Sequence, residues 1–154
     1  MKKLFALLLL VALIALPACG GSKTEETTTT QPTAYDTLTG LDKEFFDVFQ
    51  CRIPQFNDPA SVRVTKILYI DTADYGDYFY VTVNATNGFG GVVPTDYFLS
   101  TNFFGTTGDL AKLSTEQTTA ITHRMVEKRN AMESFNITAI NVAVKEYLEE
   151  NGLS

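Results

Sequence analysis

The sequence predicts an α+β domain: a three-stranded antiparallel meander packed on N- and C-terminal helices, in the order α-β-β-β-α-α. Three observations predict it. A helical stripe precedes Pro54, three β-branched, alternating segments lie between Ser61 and Ser100, and two helical patterns follow Ser114. Strands grouped between helices, rather than alternating with them, specify an antiparallel sheet with helices segregated to one layer.

Each element has a local reason. Thr39-Gly40-Leu41-Asp42 has capping-box spacing with Asp in place of Glu, and Leu41, Phe45, Val48 and Phe49 then fall on one helical stripe. This helix should run to about Cys51 and stop before Pro54, since the residue preceding a proline avoids the helical region. Cys51 follows Phe45, Phe46, Val48 and Phe49, so its thiol is expected to be buried and inert. Asn57-Asp58-Pro59-Ala60-Ser61 reads as a turn, with Asp58 able to cap and Pro59 presetting φ. Ser61–Ile70 reads as a strand with Val62, Val64, Leu68 and Ile70 on one face, interrupted by Lys66. Tyr78–Thr86 is the clearest strand. Phe79, Val81, Val83 and Ala85 point one way and Tyr78, Tyr80, Thr82 and Asn84 the other. Asn87-Gly88-Phe89-Gly90-Gly91 is a turn in which positive φ is easy. Val92–Ser100 is the third strand, and Pro94, which cannot donate to a ladder, puts it at an edge or a bulge. Ser114-Thr115-Glu116-Gln117 opens a helix with Ile121, Met125 and Met132 as inner positions, bent or broken near Ser134. Asn136 caps a last helix on which Ile137, Ile140, Val144 and Leu148 repeat at three or four, ending at Asn151-Gly152.

The helices supply about one layer, and Phe79, Val81 and Val83 are the most apolar set, so they should face it. That leaves Tyr78 and Tyr80, with Tyr69 and Tyr97 from neighbouring strands, on an open face. Two readings apply to such a face: cross-strand aromatic pairing that supports the sheet, or a candidate interaction surface.

The N-terminus reads as an address. Met1-Lys2-Lys3 is a short positive region, Leu4–Leu16 an apolar run, and Leu16-Pro17-Ala18-Cys19 follows. The run is shorter than the roughly 20 residues that span a bilayer. Residues 1–18 therefore read as a signal peptide. Residues 19–38, rich in Thr, Gly, Ser and Glu without apolar periodicity, read as a flexible, solvated tether. Residues 39–154 form the expected single domain, large enough for its own core without a disulfide or metal. Removing residues 1–18 takes away two lysines and no acid, leaving 10 basic against 18 acidic residues and a charge of −8. That argues against nucleic acid, or an anionic surface bound by charge, as a partner.

Leu16-Pro17-Ala18-Cys19 resembles the lipobox of bacterial lipoproteins, with Pro17 departing from the usual small residue. The resemblance implies cleavage before Cys19, acylation of its sulfur, and a domain held outside the cytoplasm on the cell membrane; two or more acyl chains suffice for stable anchoring. The rival reading is an ordinary secretory signal with Cys19 paired to Cys51. Three further phrases carry a second resemblance: Phe56-Asn57-Asp58-Pro59-Ala60-Ser61-Val62-Arg63-Val64, Val83-Asn84-Ala85-Thr86-Asn87-Gly88-Phe89-Gly90-Gly91, and Ile137 to Tyr147 (ITAINVAVKEY). They are similar to phrases in small, uncharacterised lipoproteins and exported domains of Gram-positive bacteria. Each is a structural phrase (a turn, a hairpin, a packing helix), so the resemblance implies no activity and carries over no functional residue.

Chemistry-bearing motifs are sparse. One His and two Cys fall short of most zinc sites. Asp71-x-x-Asp74-x-x-Asp77 lacks the spacing of a calcium loop and reads as a solvated acidic connection. His123, beside Arg124, Glu127 and Lys128, reads as part of a solvated helix face, and nothing in the sequence brings it to Cys51. No catalytic residue, metal ligand or cofactor is assigned. The function expected is a membrane-anchored extracytoplasmic binding module for a protein or cell-wall component. The alternatives are an inhibitor or immunity factor against an exported enzyme, or a small cell-wall hydrolase, which would need an acid and a base paired in a cleft.

Overall fold

The computed structural model describes residues 32–128 and 134–154, all within one unit spanning Gln31–Ser154. The signal segment, Cys19, most of the expected tether and Met132 lie outside the described residues. The chain runs α1 (Ala34–Thr37), α2 (Gly40–Gln50), β1 (Arg63–Thr72), β2 (Gly76–Thr86), β3 (Val92–Ser100), β4 (Phe103–Thr106), α3 (Thr115–Lys128) and α4 (Ile137–Glu150), with short 3₁₀ turns between α2 and β1 and between β4 and α3. All neighbouring strands are antiparallel, in the order β1-β2-β3-β4. The α+β class and the antiparallel meander are therefore present, but the sheet has four strands, not three, and the helix order gains α1.

Both additions are too short to show a period in sequence. β4 is four residues with an internal glycine; it forms because Thr101-Asn102 turns the chain back, so that Ser100 faces Phe103 and Tyr97 faces Thr106. α1 is a single turn held by Thr33, whose N–H donates to the Asp36 carboxylate at 2.9 Å while its hydroxyl accepts from the Asp36 N–H at 3.3 Å. It is fixed from outside as well: the Ala34 N–H donates to Glu146 Oε2 of α4 at 2.6 Å, and Leu38 is 3% exposed in the core. The folded part thus begins by Thr33, which corrects the expected boundary at residue 39.

The sheet is covered on both faces, not one. On the first face Phe45, Phe46 and Phe49 of α2 and Ile140, Ala143, Val144 and Leu148 of α4 pack with Val64, Ile67, Phe79, Val81, Val83 and Leu99. Burying each such phenyl ring contributes roughly 1.5–3 kcal/mol. On the second face Ile121 of α3 and Leu110 pack with Leu68, Ile70, Tyr78 and Phe98. The Ser114 box opens α3, with Gln117 N–H donating to Ser114 Oγ at 3.2 Å and Ser114 N–H to Gln117 Oε1 at 3.1 Å.

One strand expectation is corrected, and the edge expected at Pro94 is found locally. Val64 faces Val83 and Lys66 faces Thr82, so Thr65 is an extra residue, a β-bulge. It reverses the alternation: Val62 and Val64 share their cluster with Ile67, while Leu68 and Ile70 belong to the opposite one. Pro94 lies in β3, which has a neighbour on each side only from Tyr97 onward; at Pro94, paired to Asn84, β3 is locally the edge. The outer edge of β1 is blunted where the Asn141 amide of α4 imitates a strand, accepting from Val64 N–H at 2.9 Å and donating to Val64 O at 2.8 Å.

Candidate functional site

The four tyrosines do not form one open face. Tyr78 is 4% exposed in the α3 cluster, its ring 6.3 Å from Phe103. Tyr80 lies on the same face, edge-on to Phe98, and its hydroxyl donates to Asp96 Oδ2 at 2.6 Å. Tyr69 and Tyr97 are on the opposite face, half-buried, Tyr69 against Phe79 at 5.5 Å and Tyr97 stacked on Phe104 at 5.0 Å. Two causes act: α3 covers the β-face of Tyr78 and Tyr80 that a one-layer fold would leave bare, and the register sets Tyr69 opposite Phe79 and Tyr97 opposite Val81, on the α2–α4 face. Burial raises the pKa of Tyr78 and of Tyr69, and for Tyr69 a hydrogen bond to Asp77 adds to it.

Cys51 is exposed, not buried. It caps α2 two residues past Phe49 and so turns off the apolar stripe; its Sγ lies 3.9 Å from Asp47 O. His123 is solvated as expected, 71% exposed and 3.5 Å from Glu127. It sits on α3 and Cys51 follows α2, so the sheet separates the two and they cannot form a nucleophile–base pair.

A cleft does form, where the sequence showed only two solvated segments. The β1–β2 connection runs Asp71-Thr72-Ala73-Asp74-Tyr75-Gly76-Asp77. Its turn is closed by the Tyr75 N–H donating to Thr72 O at 3.3 Å, by the Thr72 hydroxyl donating to Gly76 O, and by Gly76 at φ 79°, a backbone region that favours glycine. α3 is clamped to this end of the sheet by Arg124. Its Nη2 and Nε donate to Asp71 Oδ1 at 2.7 and 3.1 Å, Nε also reaches Asp71 O at 3.0 Å, and Nη1 binds Glu127 at 2.8 Å. Lys128 Nζ lies 3.6 Å from the other Asp71 oxygen. Burial opposes ionisation of Asp71, but Lys128 and Arg124 together outweigh it and hold its carboxyl below the usual value.

Between the connection and the first turns of α3 lies an open cleft of about 900 Å³, lined by Asp71, Asp74, Tyr75, Asp77, Glu116, Thr119, Ala120, His123 and Arg124 among others. Its one arginine is committed to Asp71 and Glu127. Asp74 and Glu116 have no cationic partner among the described residues, and Asp77 meets the Tyr69 hydroxyl. Glu116 is held below its usual pKa first by its own backbone N–H and then by the Ser114 hydroxyl. The cleft therefore keeps a surplus of negative charge beside the half-exposed ring of Tyr75, a combination suited to ammonium or guanidinium groups. Among the described residues no three His, Cys, Asp or Glu side chains are grouped as metal ligands, and no helix is long and apolar enough to cross a membrane. The sequence displayed the two walls of the cleft only as separate solvated segments, Asp71-x-x-Asp74-x-x-Asp77 and, on α3, His123 with Arg124 and Lys128. Nothing local pointed Arg124 at Asp71, 53 residues away.

No family model, curated protein or solved structure matches this chain. The likeness to small lipoproteins rests on the lipobox and the three phrases alone.

Proposed function

We propose that this protein is a lipid-anchored extracytoplasmic binding module, tethered through Cys19, that captures a cationic group of an envelope protein or cell-wall component in the cleft between the β1–β2 connection and α3. The observation that supports it is the cleft of about 900 Å³, whose lining includes Asp74, Glu116 and Tyr75 while Arg124 is neutralised by its own partners. A mature charge of −8 adds a long-range attraction for such a ligand. His123 and Glu127 lie 3.5 Å apart but are both solvent-exposed, and Glu127 is already held by Arg124, so binding is favoured over hydrolysis.

Two experiments test the two halves. Cells fed a labelled fatty acid should label the wild-type chain and not Cys19→Ala; equal labelling of both removes the anchor. Calorimetric titration of residues 20–154 with trilysine should give binding that weakens with salt and with Asp74→Asn/Glu116→Gln. If trilysine binds no better than triglutamate, the cleft does not read positive charge.

A further inference from the structure

The β2–β3 hairpin ends in a phenyl ring that the fold does not use. Phe89 is 99% exposed, and Val92 and Val93 beside it are 65% and 41% exposed. The loop keeps its shape without that ring. Asn87 Oδ1 accepts from the N–H of Phe89 and of Gly91, both at 3.0 Å, Gly90 N–H donates to Asn87 O at 3.0 Å, and Asn87 N–H to Gly91 O at 2.9 Å. Gly90 takes φ 81°. A rigid backbone thus holds out an apolar side chain that water penalises.

The surroundings select the occupant. From Tyr78 to Thr95 there is no charged residue, although the mature chain carries −8. In the β1–β2 register the cation nearest the tip is Arg63, opposite Asn84. The tip itself is apolar and uncharged, with Arg63 and, in the turn whose Ser61 Oγ accepts from Thr86 N–H, Asp58 behind it; an uncharged apolar tip suits the boundary between acyl chains and headgroups. The route of the chain agrees. Phe135, just before α4, touches Phe79 at 6.3 Å between ring centres, and Asn141 binds Val64, which pairs with Val83. α4 therefore advances in the direction in which β2 runs to the tip. Glu146, further on, holds the N–H of Ala34, so the described chain enters beside the C-terminal half of α4. Cys19 is 13 residues before Pro32, a reach of at most about 45 Å.

We propose that the Phe89 hairpin tip is a second membrane contact, inserting into the bilayer interface and standing the sheet on end, with the acidic cleft at the other end of β2 facing outward. The proposal rests on the lipid-anchor reading for its setting, but its test does not. Residues 20–154 with an N-terminal hexahistidine tag are held on phosphatidylcholine vesicles containing a nickel-chelating lipid, so the tag replaces the acyl group. The chain has no tryptophan, so Phe89→Trp and Val126→Trp, the latter on the exposed side of α3, each give a single reporter. Emission at position 89 should shift to the blue on vesicles, with quenching by lipids brominated in the upper acyl chain severalfold greater than at position 126. With the native ring, imidazole should release wild type severalfold more slowly than Phe89→Asp. Position 89 remaining in water, both positions shifting alike, or equal release would each overturn the proposal. Acylation of Cys19 is decided separately by fatty-acid labelling.

Discussion

Gly105 leaves no room for a side chain. A Cβ there would lie 2.5 Å from Asp109 Cβ, an atom fixed to the backbone of the 3₁₀ turn that follows β4. Gly105→Ala should therefore cost roughly 1–3 kcal/mol, read as a lower denaturation midpoint at unchanged slope. Asp109 itself closes a capping box on Thr106. Its carboxyl is held down to about 2, first by Lys112 and then by the backbone N–H and hydroxyl of Thr106. The unfolded chain binds that proton near the ordinary Asp value, so this contribution is complete above about pH 4 and is lost as pH falls toward 2. The stability gap between wild type and Asp109→Asn should accordingly be widest at pH 6 and shrink as pH falls through about 2; a gap that does not change with pH would show that the charge is irrelevant. Tyr78, beneath α3, is the third residue whose role packing decides. Tyr78→Thr preserves strand propensity but empties a buried site, at a cost of about 3 kcal/mol.

Single elements show why local pattern was informative in some places and not in others. α2, α4 and β2 were legible because their apolar residues repeat over 11, 14 and 11 residues, long enough to define a period. The bulge in β1 was not, because one extra residue has no sequence signature when both faces of the sheet are buried. Val62, Val64, Leu68 and Ile70 look like one stripe only if Thr65 counts as a ladder position. Deletion tests this. Without Thr65, β1 alternates regularly, with Val64, Ile67 and Tyr69 on the α2–α4 face and Leu68 and Ile70 on the α3 face. The lost bond from the Thr65 hydroxyl to Thr82 O, 3.1 Å long, is worth about 1 kcal/mol. Deletion of Thr65 should leave a cooperative melt, whereas deletion of Leu68 forces half of β1 to the wrong faces and should abolish it. If the two deletions are equally damaging, the extra residue does more than shift register. The candidate site was illegible for a related reason. It is made by α3 closing over a hairpin 53 residues away through Arg124 and Asp71, and sequence displays charge without displaying what it meets.

At the scale of the whole molecule, β2 separates two unlike ends. One carries the acidic cleft, the other the uncharged Phe89 tip, about 33 Å apart along an 11-residue strand. A domain so arranged needs its chain to enter at a defined place, and α1 provides that. The turn Ala34–Thr37 looks dispensable by length, but Leu38 behind it is 3% exposed, and Glu146 is bound to the Ala34 N–H at 2.6 Å. Truncating a buried leucine costs about 2–5 kcal/mol, a large share of the 5–15 kcal/mol by which domains are typically stable. Three chains separate the contributions. Residues 20–154 and 32–154 should unfold in urea at the same midpoint, since the core contacts described for the N-terminal segment begin with Ala34 and Tyr35. Residues 39–154 should unfold at a clearly lower midpoint, and Leu38→Ala in the longest chain should account for most of the loss. Equal midpoints for all three would place the boundary at residue 39 after all, and the chain's point of attachment would then be free to swing relative to the tip.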